Sequence, residues 1–182
     1  MTVFSNQASG ASEEAEAYIT AVLQLLGERD PLTVLRSTAA DLRRAVSDRK
    51  PDELRRPEGV GKWSALQVIQ HLADSDLVWA YRIRLVIAED RPELRGFDQD
   101  LWAQGLRYRD GETRRALEQF EVLRELNLEL LDGLDPATFE RVGIHSERGE
   151  ESLALMVRLY AGHDLVHLRQ LARILAAGDS GS

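Results

Sequence analysis

Residues 151–177 read ESLALMVRLYAGHDLVHLRQLARILAA. Met156, Tyr160, His163, His167, Leu171 and Ile174 recur at spacings of three and four, which puts them on one face of an α-helix. Apolar residues stand above and below on that stripe, so the stripe faces a packed interior and two histidines occupy positions that belong to core residues. An interior imidazole must find a partner. His163 and His167, four apart, can both reach one metal ion; the alternative is a pair of buried histidines bonded to other side chains. The helix is expected to end at Gly178, with a flexible tail from Asp179 to Ser182.

The same period dominates the rest of the chain, and neither an alternating β-branched run nor an internal repeat is found. A short first helix is expected over 12–27, with Ala15, Ile19, Val22, Leu23 and Leu26 on one face. Asp30-Pro31 is a start signal, an Asp cap followed by Pro at the first helical position, and opens a helix over 31–48 with Leu32, Leu35, Ala39, Leu42 and Val46. Pro51, Pro57, Gly59 and Gly61 make 49–62 a loop. A long helix follows over 63–89, carrying Leu66, Ile69, Leu72, Ala73, Ala80, Ile83 and Ile87. The longest connection is 90–110, in which Phe97 to Leu106 adds a helical turn or two. Asp110 is placed to cap a helix over 111–132, with Leu117, Phe120, Leu123 and Leu130 inside and Gly133 as its stop. Residues 133–150 read as loop. The fold class is therefore all-α: one bundle domain over 12–178 built on long amphipathic helices, with a short extra N-terminal helix and a connection at 90–110 long enough to cross over the bundle. Residues 1–11 are expected to be a flexible N-terminus.

The 182 residues suit one domain, 43% hydrophobic and 30% charged. No cysteine is present, which excludes disulfides, thiolate zinc sites and cysteine nucleophiles. Met1 to Gly10 lacks a basic segment followed by an apolar run, and no stretch approaches the roughly 18 apolar residues of a membrane span, so a cytoplasmic protein with no membrane partner is expected. Lys and Arg number 23 against 31 Asp and Glu, a net charge of −8. Nucleic acid is not expected as a partner; Arg82, Arg84, Arg107 and Arg109 are read as solvated or ion-paired.

The chain has four histidines. His71 lies inside the third long helix, on a face shared with Val68, Ser75 and Val78. It stands about 8 residues into its helix and His163 about 12 into its own, so two parallel helices would bring them level. Three neutral imidazoles without a fourth protein ligand make an open site. Asp74, Asp76 and Asp164 are candidates to orient a ligating imidazole or to act as general base, and each is also readable as an ordinary helix-surface acid. Tyr81 and Arg82 are placed to bring a phenol and a guanidinium toward the same cavity, or to pack and pair at the surface. His145 reads as a loop or rim residue. Gly-rich phosphate loops, G-x-S-x-G, H-E-x-x-H and the Glu-x-x-His pairs of di-iron bundles are absent.

Gly61-Lys62-Trp63-Ser64, His71-Leu72-Ala73-Asp74-Ser75-Asp76, Tyr81-Arg82 and His163-Asp164-Leu165-Val166-His167 with Gln170 together resemble the DinB/YfiT-like superfamily of metalloenzymes. Gly27-Glu28-Arg29-Asp30-Pro31 and the segment from His145 to Leu153 resemble one branch of it, and the similarity runs from about residue 20 to 177. The resemblance implies a four-helix bundle with crossed connectivity, often a homodimer, with His71, His163 and His167 in the family's metal triad and Zn, Ni or Fe as the ion. Many members carry Glu at the position of Asp76, which is one methylene shorter. Characterised relatives include transferases that use low-molecular-weight thiols of the bacillithiol or mycothiol type, with a small electrophile as substrate. The implied activity is a metal-dependent thiol S-transferase in which Arg82 or another basic residue holds the thiol's carboxylate; a metal-dependent hydrolase and a non-catalytic metal-binding bundle stand as alternatives.

Overall fold

The computed structural model describes residues 11–179. In chain order it contains α1 (Ala11–Leu26), α2 (Pro31–Val46), α3 (Pro51–Arg55), α4 (Ala65–Ala88), β1 (Glu93–Leu94), α5 (Gln99–Gly105), α6 (Thr113–Asp132), β2 (Val142–His145), β3 (Gly149–Ser152) and α7 (Leu153–Asp179). Single 3-10 turns occupy Tyr108–Asp110 and Pro136–Glu140. The expected flexible ends lie outside the described residues, apart from Ala11 and Asp179, which are helical.

Local chemistry explains the main boundaries. The Asp30 carboxylate accepts the backbone N–H of Thr33 at 2.7 Å, and Pro31 fills the first helical position. The long third helix begins at Ala65 rather than residue 63, because Ser64 and Gln67 form a reciprocal capping box: each side chain accepts the other's backbone N–H, at 3.3 and 3.1 Å. Trp63 is therefore left just outside the helix. Asp110 does not cap α6; it pairs with Arg107 at 2.7 Å, and Glu112 takes the cap position without a side-chain bond.

Helices α2, α4, α6 and α7 form the bundle, with α2 and α4 each packed on both α6 and α7. Pairs between elements fix the directions. Arg36 meets Asp132 and Arg43 meets Glu121, so α2 and α6 are antiparallel. Asp74 meets Gln119 and Arg84 meets Asn127, so α4 and α6 run the same way. That parallel pair requires the chain to return along the bundle between them, which is the expected crossover. His71 sits on His167 and Trp79 on Tyr160, so α4 and α7 are antiparallel. The parallel arrangement suggested by counting residues from each helix start is thus corrected. The histidines still meet because the end of α7 runs past the start of α4, where Arg173 pairs with Glu58 in the loop before it.

The core divides along the axis into two apolar clusters with a polar layer between them. On α2 the sequence of clusters runs from Leu35 through Thr38 to Leu42; on α4 from Leu72 through Asp76 to Trp79; on α6 from Phe120 through Arg124 to Leu131; on α7 from Ala161 through Asp164 to Leu171. Each bundle helix therefore contributes a buried polar residue at the waist. The first helix lies on α7 so closely that a Cβ on Gly162 would stand 2.4 Å from Val22 Cγ1 and 2.7 Å from its carbonyl oxygen.

A three-stranded sheet, absent from the sequence expectation, closes one end: β1 pairs parallel with β2, and β2 antiparallel with β3. Its strands are two to four residues long and read EL, VGIH and GEES, too short and too glycine-rich to show a period of two. Among the described residues no helix is long and apolar enough to cross a membrane.

Candidate metal centre

His71 from α4 meets His163 and His167 from α7 just beside the polar layer. One ring nitrogen from each lies within 4.8 Å of the other two. The Nε2 atoms of His71 and His163 stand 3.1 Å apart. A tetrahedral ion about 2.0–2.1 Å from each nitrogen would hold its ligands about 3.3 Å from one another, so the donor set fits a divalent ion. His167 directs Nδ1 at Gln170 Oε1, 2.8 Å away, which leaves its Nε2 as the ligand atom. The Nδ1 atoms of His71 and His163 are buried without a hydrogen-bond partner. Burial pushes His71 and His163 well below the ordinary imidazole value, assisted by the neighbouring rings, and takes His167 down to about 4. All are therefore neutral at pH 7, the form that ligates a metal.

Aromatic side chains stand at the edge of the cluster. Trp63 lies 5.1 Å from His71 and Phe97 6.4 Å, ring centre to ring centre, and Phe97 packs on Trp102 at 4.5 Å. They come from the loop before α4 and from the crossover.

Behind the histidines, Arg124 fills the middle of the polar layer. Its Nε and Nη2 donate to the two oxygens of Asp76 at 3.1 and 2.8 Å, and its Nη1 donates to Asp164 Oδ2 at 2.6 Å and to the Leu35 carbonyl at 2.8 Å. Tyr160 donates to Asp76 at 2.5 Å and Thr38 to Asp164 at 2.7 Å. Burial raises Asp76 to about 6 against the pull of Arg124, while the two carboxylates hold Arg124 above its usual value despite burial. Asp76 and Asp164 are thus turned toward Arg124, and among the described residues no carboxylate joins the three-histidine cluster.

The other expected site residues lie elsewhere. Asp74 accepts from Tyr108 Oη at 2.6 Å and from Gln119 Nε2 at 3.0 Å, so it fastens the crossover and α6 to α4. Tyr81 is 65% exposed, on the outer side of α4 with Leu77, because it is turned away from the stripe that His71 occupies. Arg82 is buried, but three turns further along α4, about 16 Å by helix rise. There it donates to the Arg95 carbonyl and holds the crossover backbone. His145 is no rim residue: it is buried in β2, accepts the Glu147 N–H at 3.2 Å, and is pushed down to about 3 by burial and by Arg148 and Arg82. Of the basic residues read as solvated or ion-paired, Arg107 pairs with Asp110, and Arg84 donates to the Ala80 carbonyl and to Asn127.

Arg124, Tyr160 and Thr38 are not among the site residues expected from the sequence. Arg124 left a signal: Leu117, Phe120, Arg124, Asn127 and Leu131 keep the spacing of an inward stripe, and a guanidinium there demands buried carboxylates. Phe97 and Trp102 left none, since their position depends on the path of the crossover.

These features define a class: a four-helix bundle with crossed connectivity and an open three-histidine cluster at its waist. The chain belongs to the DinB superfamily, whose model matches residues 35–171. It is 30% identical over 134 residues to a protein of Bacillus mycoides named "Putative metal-dependent hydrolase", covering 74% of this chain and 77% of that one. A protein of Oceanobacillus iheyensis with the same description is 30% identical over 138 residues, covering 76% and 80%. Among solved structures, YfiT from Bacillus subtilis superimposes with a TM-score of 0.70 over 93% of this chain and 92% of its own, at 24% identity. It is described as "a probable metal-dependent hydrolase with an unusual four-helix bundle topology", and the likeness confirms the fold.

Proposed function

We propose that His71, His163 and His167 hold one divalent metal ion and that the protein is a metal-dependent transferase acting on a low-molecular-weight thiol and a small electrophile. The observation that carries this reading is the cluster itself: three neutral imidazoles converging without a carboxylate among them. A divalent ion in such a site is a Lewis acid that lowers the pKa of a group ligating it. A thiol starts near 8.5 and water near 15.7, so a thiol needs far less assistance. Asp76 and Asp164 are bonded to Arg124 and Asp74 to Tyr108, which leaves no expected carboxylate to serve as general base. A site without such a base suits the more acidic nucleophile. In this reading His163, half-buried where His71 and His167 are buried, borders the open side, and Gln170 fixes the orientation of His167.

The descriptions of the relatives favour a second reading, a metal-dependent hydrolase. The two separate in one experiment. Metal content is measured on untagged protein; then consumption of a bacterial thiol with a model electrophile is compared with hydrolysis of an activated ester without thiol. About one ion per chain with thiol-dependent turnover supports the transferase. Turnover of the ester alone establishes the hydrolase. No metal uptake after adding Zn, Ni or Fe overturns both.

A further inference from the structure

The aromatic residues beside the metal centre are not accounted for by the core. Phe97 and Trp102 belong to neither apolar cluster and both are only half-buried. Aromatic side chains carry about 150–250 Å² of mostly apolar surface, and leaving it wet forgoes burial that the fold would otherwise gain. Trp63, also half-buried, rests one edge on the second cluster and brings its ring to His71.

Their placement is fixed rather than incidental. On one side of Phe97, Arg82 holds the Arg95 carbonyl, and the Gly96 N–H donates to Ser146 Oγ at 3.0 Å. On the other side, Asp98 caps α5, accepting from Asp100 and Leu101 N–H at 2.9 Å each. Just past the end of that short helix, Leu106 donates its N–H to the Trp102 carbonyl at 2.8 Å and is 57% exposed. Trp63 and Phe97 bring their rings to the His71 ring while staying half-buried, and Trp102 reaches the cluster through its contact with Phe97.

We propose that Trp63 and the Phe97–Trp102 pair form an aromatic-walled slot at the metal, which selects substrates carrying a planar apolar group next to the atom that ligates the ion. This rests on the metal-centre reading above. Ring-on-ring contact with Phe97 and Trp63 contributes to binding beyond what the metal-ligating group alone provides, and it orients the adjacent group toward the open side of the cluster.

The test uses two chelating probes that share one metal-binding group, acetohydroxamate and benzohydroxamate, titrated calorimetrically into the zinc-loaded full chain. Benzohydroxamate is expected to bind about tenfold more tightly than acetohydroxamate. Phe97→Ala and Trp102→Ala should each bring that ratio toward one while leaving acetohydroxamate affinity and zinc stoichiometry unchanged. Phe97→Leu, which keeps apolar bulk but not the flat ring, should lower the ratio partway. Equal affinity of the two probes for the wild type, or a ratio that survives Phe97→Ala, overturns the slot while acetohydroxamate binding still upholds the metal centre. Equal weakening of both probes in Phe97→Ala also overturns it, since that marks a cover rather than a selective wall. A chain that takes up no zinc and binds neither probe overturns both readings.

Discussion

Two buried polar clusters lie side by side at the waist of this bundle, and they are built on opposite terms. Around Arg124, which is 3% exposed, every side-chain nitrogen of the guanidinium has an acceptor, and both carboxylates are taken up by Arg124, Tyr160 and Thr38. Around His71, ring nitrogens converge on one point and two others are buried without a partner. The first cluster has its hydrogen-bonding capacity filled by the fold and offers nothing to a ligand. The second keeps lone pairs free. Burial is common to both; unfilled valence marks the candidate metal centre.

Arg124→Met strikes the filled cluster directly. Removing one member of a buried ion network leaves the others uncompensated, at a typical cost of about 3–5 kcal/mol. Urea denaturation should show a loss of that order, and adding Asp76→Asn and Asp164→Asn should recover much of it, because the charges that needed Arg124 are then gone. A loss below about 1 kcal/mol would show that the Arg124 cluster does not hold the fold.

His163→Ala should do the reverse. The apo protein loses no satisfied hydrogen bond to an outside partner, so its stability should change little. The wild type at a metal concentration one hundred times Kd should gain about 2.7 kcal/mol, and the variant essentially nothing. Thermal unfolding with and without zinc reads both values. Equal metal stabilisation of the two chains would remove His163 from the ligand set.

The same contrast explains what could be read in the sequence. The histidines were legible because the i, i+4 pair and His71 each interrupt an apolar stripe, and periodicity alone says which way such residues point. The bundle followed from helix lengths, and the long 90–110 segment left room for a crossover, which the family resemblance implied. Helix direction was not legible: counting from each start suggested that α4 and α7 are parallel, whereas direction depends on which helices pack and on the stagger that puts Arg173 beside Glu58. Asp76 and Asp164 were legible as acids near the histidines that could also be surface acids; their burial and pairing were hidden, since their partner Arg124 comes from a third helix. Asp74 and Tyr81 were carried toward the site by nearness in sequence, and on a helix a step of about 100° per residue undoes such nearness. The strands that bury His145 are defined by their pairing alone.

His145 supplies a pH test outside both clusters. Its folded value, about 3, lies below the ordinary 6.5, so it stays neutral in the fold while the unfolded chain takes up a proton below pH 6.5. Its contribution to stability is therefore complete above 6.5 and declines as pH falls through the window down to about 3. The slope is at most about 1.4 kcal/mol per pH unit for one group. Asp76 acts in the opposite sense, since a value raised to about 6 favours the fold at low pH. Comparing wild type with His145→Gln cancels that term. The variant should lose about 1.5 kcal/mol less than the wild type between pH 6.5 and 5 in urea titrations. Identical slopes would show that His145 is protonated within the fold.

The smallest expected effect separates position in sequence from position in space. Asp74 is three residues from His71 and carries a carboxylate, yet its oxygens accept from Tyr108 and Gln119 rather than facing the histidines. Those bonds tie the end of the crossover and α6 to α4, a fold-stabilising arrangement of the same kind as the Arg124 cluster, at the half-exposed edge of the bundle. Tyr108→Phe removes one donor to a carboxylate that water can still reach, so the loss should be about 1 kcal/mol. Asp74→Asn keeps an acceptor for Tyr108 and should cost no more. In both variants metal stoichiometry should stay at the wild-type value and turnover should stay within about twofold. A general base removed from a reaction usually costs about a hundredfold or more. A collapse of turnover in Asp74→Asn, with metal retained and Tyr108→Phe still active, would therefore move Asp74 from the scaffold into the chemistry.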